Sequence, residues 1–277
     1  MKLIKQLFNF YINSSVHVAL SVYALSWITL LEFGKAYNEN ILCFNFFATI
    51  TGYNFVKYFG VAKFHHRRLT TWLKAIQLFS LICFVLMCFY ALKLELKTLV
   101  YIGGLGLLTF LYAIPFLPKR LFLDSQQNLR SIGGLKIYLI ALIWSGVTVF
   151  LPLINTNVLL GADVFITATQ QFLFIMALML PFEIRDLQYD SLKLSTIPQK
   201  IGVVKTKLMG VLLLFVFCLL QFFKNDIIAV NTSVLITIAL ITGVLILISK
   251  KEQGKYFSSF LVEGVPVLWL IFMLLFN

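Results

Sequence analysis

Long runs of apolar residues, separated by short polar segments, dominate the sequence. Each run has about 20 residues, the length that an α-helix needs to cross the hydrocarbon core of a bilayer. A helix satisfies its own backbone hydrogen bonds, as the bilayer interior requires. The pattern therefore predicts an all-α polytopic membrane protein with about nine transmembrane helices, near residues 14–33, 41–60, 75–92, 98–116, 133–152, 162–182, 207–223, 227–249 and 257–276.

The second run is the least hydrophobic of the nine. It carries polar residues along its whole length, namely Asn45, Thr49, Thr51, Asn54 and Lys57. No polar linker interrupts the series of runs, so the sequence predicts one helical domain over residues 1–277.

Composition excludes a water-soluble protein. Hydrophobic residues make up 60% of the chain and charged residues only 12%, too few charges to cover a surface that faces water. The net charge of +12 raises the possibility of nucleic-acid binding. The basic residues, however, lie in short loops between apolar runs, which suits anionic lipid headgroups or a phosphorylated ligand. We therefore expect the lipid bilayer, and no nucleic acid, as a partner.

The basic residues also predict an orientation. With the N-terminus in the cytoplasm, 19 of the 23 lysines and arginines lie on the cytoplasmic side, and only Lys35, Lys93, Lys97 and Lys224 lie on the other. This bias follows the positive-inside rule. It predicts a multi-pass protein of the cell (inner) membrane, with a retained first helix. Its three long functional segments, 61–74, 117–132 and 183–206, would be cytoplasmic.

An acidic cluster follows the sixth run. Glu183, Asp186 and Asp190 are spaced by three and then four residues, so a helix would place them on one face. Three stacked carboxylates repel one another and need positive charge nearby. Mg²⁺ prefers carboxylate oxygens and often shares its shell with phosphate, so these residues are candidate metal ligands. A solvated helix end with Arg185 as a local partner is the alternative.

This acidic stretch resembles a known family motif. Glu183-Ile-Arg-Asp186-Leu-Gln-Tyr-Asp190, followed by Thr196-Ile-Pro198-Gln-Lys-Ile-Gly202, resembles the second aspartate-rich motif of the UbiA superfamily of intramembrane prenyltransferases, with Glu in place of the first Asp. The segment from Tyr112 to Lys119-Arg120 is similar to the family's Tyr…Lys-Arg segment after helix 4. The resemblance covers the whole chain.

The resemblance implies a bundle of nine helices that transfers a prenyl group from its diphosphate to a small acceptor. Aromatic precursors of quinones are the commonest acceptor class among relatives. It implies Mg²⁺ as cofactor, Asp186 and Asp190 as catalytic residues, and Glu183, Asp186 and Asp190 as the metal ligands. It also implies that Lys119 and Arg120 bind the diphosphate.

The family's first acidic motif is absent. Asn54 can stand for its leading Asn, but Phe55, Tyr58 and Ala62 fall on the three acidic positions. Each family cluster holds Mg²⁺ against the diphosphate, so the loss removes stabilisation of the leaving group. Two hypotheses follow. The cations at the end of the second run and just after it contact phosphate directly, namely Lys57, Lys63, Arg67 and Arg68; or the chain is a catalytically inactive relative that binds an isoprenoid lipid or acts as a scaffold.

Polar residues within the apolar runs are further candidates. Glu263 lies in the ninth run, and an intramembrane carboxylate marks a site by default. It would line the substrate cavity or pair with a lysine. Asn54, Tyr58 and Tyr112 are candidates for the same cavity. A transporter is the third alternative, but the internal repeats typical of transporters are not visible.

Overall fold

The computed structural model describes residues 2–64, 71–113, 134–189 and 195–276. In these ranges the chain is helical and contains no strand. The helices are α1 (Lys2–Asn13), α2 (Val16–Glu32), α3 (Glu39–Phe64), α4 (Thr71–Ala91), α5 (Leu96–Ala113), α6 (Leu135–Ser145), α7 (Leu151–Asn155), α8 (Ala162–Asp186), α9 (Ile197–Leu220), α10 (Ala229–Ile248) and α11 (Val265–Phe276). A π-helical turn, Gly146–Phe150, joins α6 to α7, and a second, Phe257–Val262, precedes α11.

Each of the nine predicted runs overlaps a helix of the structure. Within the described ranges, six helical segments are long and apolar enough to cross a membrane: Trp72–Ala91, Leu135–Asn155, Ala162–Asp186, Ile197–Phe223, Ala229–Ile248 and Phe257–Phe276. A seventh is added if α1 and α2, which meet at 57°, count as one bent span. The structure thus supports a multi-pass membrane protein, and nine crossings remain a prediction.

The predicted first helix omits α1, which is a separate amphipathic helix. Its polar residues Lys5, Asn9 and Asn13 recur every four positions, and Gln6 lies beside them, so they share one face. Ile4 and Leu7 are exposed apolar residues of the same helix. The bend to α2 falls at Ser15, whose backbone is left-handed (φ 64°).

The core of the bundle lies where α2, α8, α9 and α11 meet. Phe174, Phe217 and Trp269 are fully buried there and contact one another with ring centroids 5.2–5.8 Å apart. By contrast, the outer faces of α4, α5, α9 and α10 carry many exposed leucines and valines. Such a surface is compatible with lipid and not with water.

Polar residues inside the bundle join neighbouring helices. Asn45 on α3 donates to Ser26 Oγ (2.9 Å) and to the carbonyl of Val147 in the first π-helical turn (3.1 Å). Gln171 on α8 donates to Thr29 Oγ1 on α2 (3.0 Å). Hydrogen bonds of this kind hold helices together where apolar packing alone is not selective. The low hydrophobicity of the second run therefore has a packing explanation.

Ion pairs and hydrogen bonds tie together the loops at the end of the bundle where α2 ends and α3 begins. Lys224 lies 3.2 Å from Glu32, and both side chains are about one-tenth exposed (8% and 11%). Asn157 and Lys97 both contact Glu95, and hydrogen bonds from Asn157 and then Lys97 hold the pKa of the Glu95 carboxyl below its usual value. These contacts close the end opposite to the acidic end of α8.

We expect Lys224→Met to lower the thermal stability of the detergent-purified protein, because it leaves the Glu32 carboxylate with little water and no cation. The expected loss is about 3 kcal/mol. The double variant Lys224→Met/Glu32→Gln should recover part of it, since no uncompensated charge remains. Equal melting temperatures for Lys224→Met and the unmodified chain would contradict the structural role of this pair.

Candidate functional site

Charged and polar side chains collect at the other end of the bundle, which we call the polar end. There α3 and α8 finish, α6 and α9 begin, and the bend between α1 and α2 meets the π-helical turn before α11. α8 continues past the internal Pro181, so its last turn carries Glu183 and Asp186 on the predicted common face. The carbonyl of Pro181 accepts a hydrogen bond from Gln253 (2.9 Å), which fastens α8 to the segment before α11.

The two carboxylates of α8 already have cationic partners. Glu183 is only 2% exposed, and its Oε1 lies 3.1 Å from Lys136 Nζ. Lys136 Nζ also lies 4.0 Å from Asp186 Oδ2. Arg185 contacts Asp186 Oδ1 through both Nε and Nη2 at 2.8 Å. The Arg185 partner of the solvated-end alternative is thus observed, but Glu183 itself is buried and paired with a lysine of another helix.

The sequence did not identify Lys136 as a residue of the site. Lys136 lies in the first turn of α6, two residues after Gly134, whose backbone is left-handed (φ 76°). A side chain at Gly134 would come within 3.3 Å of the Ser195 carbonyl, so the start of α6 packs closely against the start of α9. In the sequence, Lys136 is one of many basic residues near a helix end, and no local pattern pairs it with Glu183.

The start of α9 carries the motif tail. Thr196 and Gln199 form a capping box, in which Gln199 Oε1 accepts from the Thr196 amide (3.0 Å), and Pro198 lies in the first turn. Gly202 then breaks the helix with a non-helical backbone (φ 80°). These signals explain why α9 begins before the predicted seventh run.

Lys57 and Asn54 hold the bend between α1 and α2. Lys57 Nζ donates to Ser15 Oγ (2.9 Å), and Ser15 Oγ donates to Asn54 Oδ1 (2.9 Å). Asn54 Nδ2 donates to the carbonyl of Ser14 (3.0 Å), and Tyr58 OH donates to that of Asn13 (3.0 Å). Two candidate cavity residues, Asn54 and Tyr58, therefore position the bend at the edge of the polar end.

Glu263 lies at the end of the π-helical turn before α11. Its carboxylate is within electrostatic reach of Lys57 on α3 and Arg185 on α8. Its backbone is fixed, because Ser21 Oγ donates to the Glu263 carbonyl (2.5 Å). Whether Glu263 lines a cavity or pairs with a lysine stays a prediction.

His17 and Gly264 explain how the π-helical turn lies so close to α2. His17 is buried, accepts from Tyr11 OH at Nδ1 (2.7 Å) and donates from Nε2 to the Phe260 carbonyl (2.9 Å). A Cβ at position 264 would lie 2.7 Å from the Phe260 carbonyl oxygen and 3.2 Å from His17 Nε2. Only glycine fits this contact without movement of the backbone.

Together, six charged residues form what we call the charge array: Lys136, Glu183, Asp186, Arg185, Glu263 and Lys57. Lys136 on α6 and Arg185 on α8 pair with Glu183 and Asp186, while Lys57 on α3 and Arg185 act electrostatically on Glu263, which lies just before α11. Charges in a low-dielectric interior are tolerated when they are paired in this way.

A groove with only apolar lining lies between α2 and α3. Leu20, Tyr23, Cys43, Phe46 and Phe47 form its walls, and its volume is about 270 Å³. It begins about one helical turn beyond His17 on α2. A polar end and an apolar groove therefore share the same two helices.

The carboxylates at the end of α8 are chemically suited to bind a divalent cation. Mg²⁺ is commonly held by one or two carboxylates, and phosphate oxygens complete its shell. Within the described ranges no group of three or more His, Cys, Asp or Glu side chains could hold a metal ion. Asp190, the third predicted ligand, lies outside the described residues, as do the predicted phosphate contacts Arg67, Arg68, Lys119 and Arg120. Tyr112 lies in α5, but its side chain is not among those described.

Comparisons of the chain with models of known families, with curated proteins and with solved structures give no match.

Gly264→Ala should destabilise the protein by about 1–3 kcal/mol, because the added methyl group overlaps the Phe260 carbonyl and crowds His17. Gly254→Ala is the matched control, since a Cβ there meets open space. Thermal unfolding in detergent measures both. Equal stability of the two variants would contradict the close contact at Gly264.

Proposed function

We propose that the chain is a membrane-embedded, prenyltransferase-like protein of the UbiA type. It transfers an isoprenoid from a prenyl diphosphate to a small, aromatic acceptor, as in quinone biosynthesis. The observation that carries this proposal is the charge array. Carboxylates and cations, among them the buried Glu183, lie at one end of an apolar bundle, where a ligand with a charged head and an apolar tail can be oriented. The motif resemblance at 183–202 supplies the reaction class.

The diphosphate is the part of the ligand that the polar end suits. Lys57 and Arg185 place positive charge near Glu263. Cations whose charge carboxylates do not fully neutralise attract phosphate. In the proposal, further positive charge for the diphosphate comes from Arg67, Arg68, Lys119 and Arg120. Lys57 stands on the helix that carries the family's first acidic motif, so it replaces part of the missing metal charge.

Magnesium is the proposed cofactor, held by Glu183, Asp186 and Asp190. When bound, it neutralises the diphosphate as the carbon–oxygen bond breaks. Asp186 and Asp190 are the proposed catalytic residues, since they would hold the ion against the leaving group. Glu263 keeps the neighbouring lysine in place. The isoprenoid tail would lie along the apolar groove beside Leu20 and Phe46.

The proposed location is the cell inner membrane, with the N-terminus and the polar end on the cytoplasmic side. The distribution of lysine and arginine supports this orientation. A water-soluble prenyl diphosphate headgroup and acceptor would then reach the site from the cytoplasm.

A non-catalytic relative that binds an isoprenoid lipid, or serves as a scaffold, is the second candidate. One observation favours it: Lys136 and Arg185 already neutralise Glu183 and Asp186, so the array is stable without a metal. The first acidic motif is also absent from α3, where Lys57 contacts Ser15 instead.

Binding of a long-chain prenyl diphosphate to the detergent-purified protein, with and without Mg²⁺, separates these functions. We expect Mg²⁺-dependent binding that Asp186→Asn weakens at least about tenfold, because each charge-assisted contact is worth about 1.5–3 kcal/mol. Glu252→Gln, which removes an exposed acid near the same end, is the matched control.

Metal-independent binding that Lys57→Met abolishes would favour the non-catalytic candidate. An absence of binding under both conditions would contradict both isoprenoid functions. Monodispersity and thermal stability of each variant show that lost binding does not reflect lost folding.

A further inference from the structure

Lys136 occupies the space between the two described carboxylates of α8. Its ammonium group is 3.1 Å from Glu183 Oε1 and 4.0 Å from Asp186 Oδ2, so it lies where a metal ion shared by both would lie. We propose that Lys136 is a resident counter-ion of Glu183 and Asp186, which a divalent cation must displace in order to bind. The inference rests on the proposed function in that it concerns the same carboxylates, but it makes a separate claim about the metal-free protein.

The metal-free protein needs such a cation. Glu183 is 2% exposed, and an uncompensated carboxylate at that depth destabilises a folded protein strongly. Lys136 supplies the charge from a different helix, and thereby also joins the start of α6 to the end of α8. The metal-free site is therefore closed by a lysine and is not an open pair of acids.

Lysine and metal exclude each other at this position. Mg²⁺ binds carboxylate oxygens at about 2.0–2.1 Å and keeps nearly octahedral geometry, which leaves no room for an ammonium group between the same two carboxylates. The two cations also repel each other. Occupancy by one therefore lowers the affinity for the other by the same factor.

Of the two cations that contact these acids, Lys136 is the one that can leave. Its side chain is a quarter exposed, has four flexible carbons and starts in the first turn of α6. Arg185 lies between the two acids on the same helix, makes two contacts with Asp186 and lies over the Phe182 ring at 5.3 Å. Its position depends on α8 alone, so it stays when the metal enters.

The test is the affinity for Mn²⁺, a paramagnetic ion that takes the same oxygen ligands. Free Mn²⁺ is measured by electron paramagnetic resonance during titration of the full-length, detergent-purified protein without any substrate. We expect Lys136→Met and Lys136→Gln each to bind Mn²⁺ at least about tenfold more tightly than the unmodified chain, because the competing ammonium is gone. Lys200→Met, which removes an exposed lysine near the start of α6, should leave the affinity unchanged.

Thermal stability gives a second readout. Without metal, Lys136→Met should melt at a lower temperature than the unmodified chain, and Mn²⁺ should restore it while it shifts the unmodified chain less. The glutamine variant retains a neutral hydrogen-bond donor and covers the case in which the methionine variant does not fold. Adding Asp186→Asn to either variant should remove the gain in affinity.

Equal or weaker Mn²⁺ binding by both Lys136 variants would overturn the inference, as would an absence of binding in all variants. The outcome is distinct from that for the proposed function. A chain that binds no prenyl diphosphate, but whose Lys136 variants gain Mn²⁺ affinity, contradicts the function and supports the resident counter-ion. Prenyl diphosphate binding without a gain in Mn²⁺ affinity supports the proposed function and contradicts the resident counter-ion.

Discussion

The polar end of this bundle depends on the pairing of a buried carboxylate with a lysine from another helix. Glu183 has almost no access to water, and Lys136 reaches it from the first turn of α6. The close packing at Gly134, the capped start of α9 and the contact from Gln253 to Pro181 all hold the elements that bring these two groups together. Without that charge compensation, the end of α8 could not lie among the other helices.

The same requirement explains how the rest of the array is arranged. Arg185 balances Asp186 within α8, and both Arg185 and Lys57 act electrostatically on Glu263. Hydrogen bonds at the bend between α1 and α2 then hold Lys57 at the edge of the array. Positions that appear unrelated along the chain thus belong to one electrostatic unit.

Helix positions were predictable from the sequence because each run is long and apolar enough to form a helix in lipid. The shared face of Glu183 and Asp186 was predictable because it depends only on helical spacing within α8. The partner Lys136 was not, since ion pairs between distant segments leave no local pattern.

The amphipathic α1 was missed because its apolar residues merge with those of α2, although the polar residues at Lys5, Asn9 and Asn13 carried the signal. α9 began before the predicted run because the capping residue Thr196 and Pro198 start the helix ahead of its continuous apolar stretch.

The pairing of two cations with two anions at the end of α8 has a thermodynamic consequence. A pair of acids with excess negative charge would bind metal alone, and a purely basic pocket would bind phosphate alone. Lys136 and Arg185 balance Glu183 and Asp186, so this group favours neither, since each single ion would leave it with a net charge. Anion and cation that enter together change that charge less than either does separately, so each strengthens the binding of the other. The structure thus favours cooperative uptake of an ion pair over independent binding of its two halves.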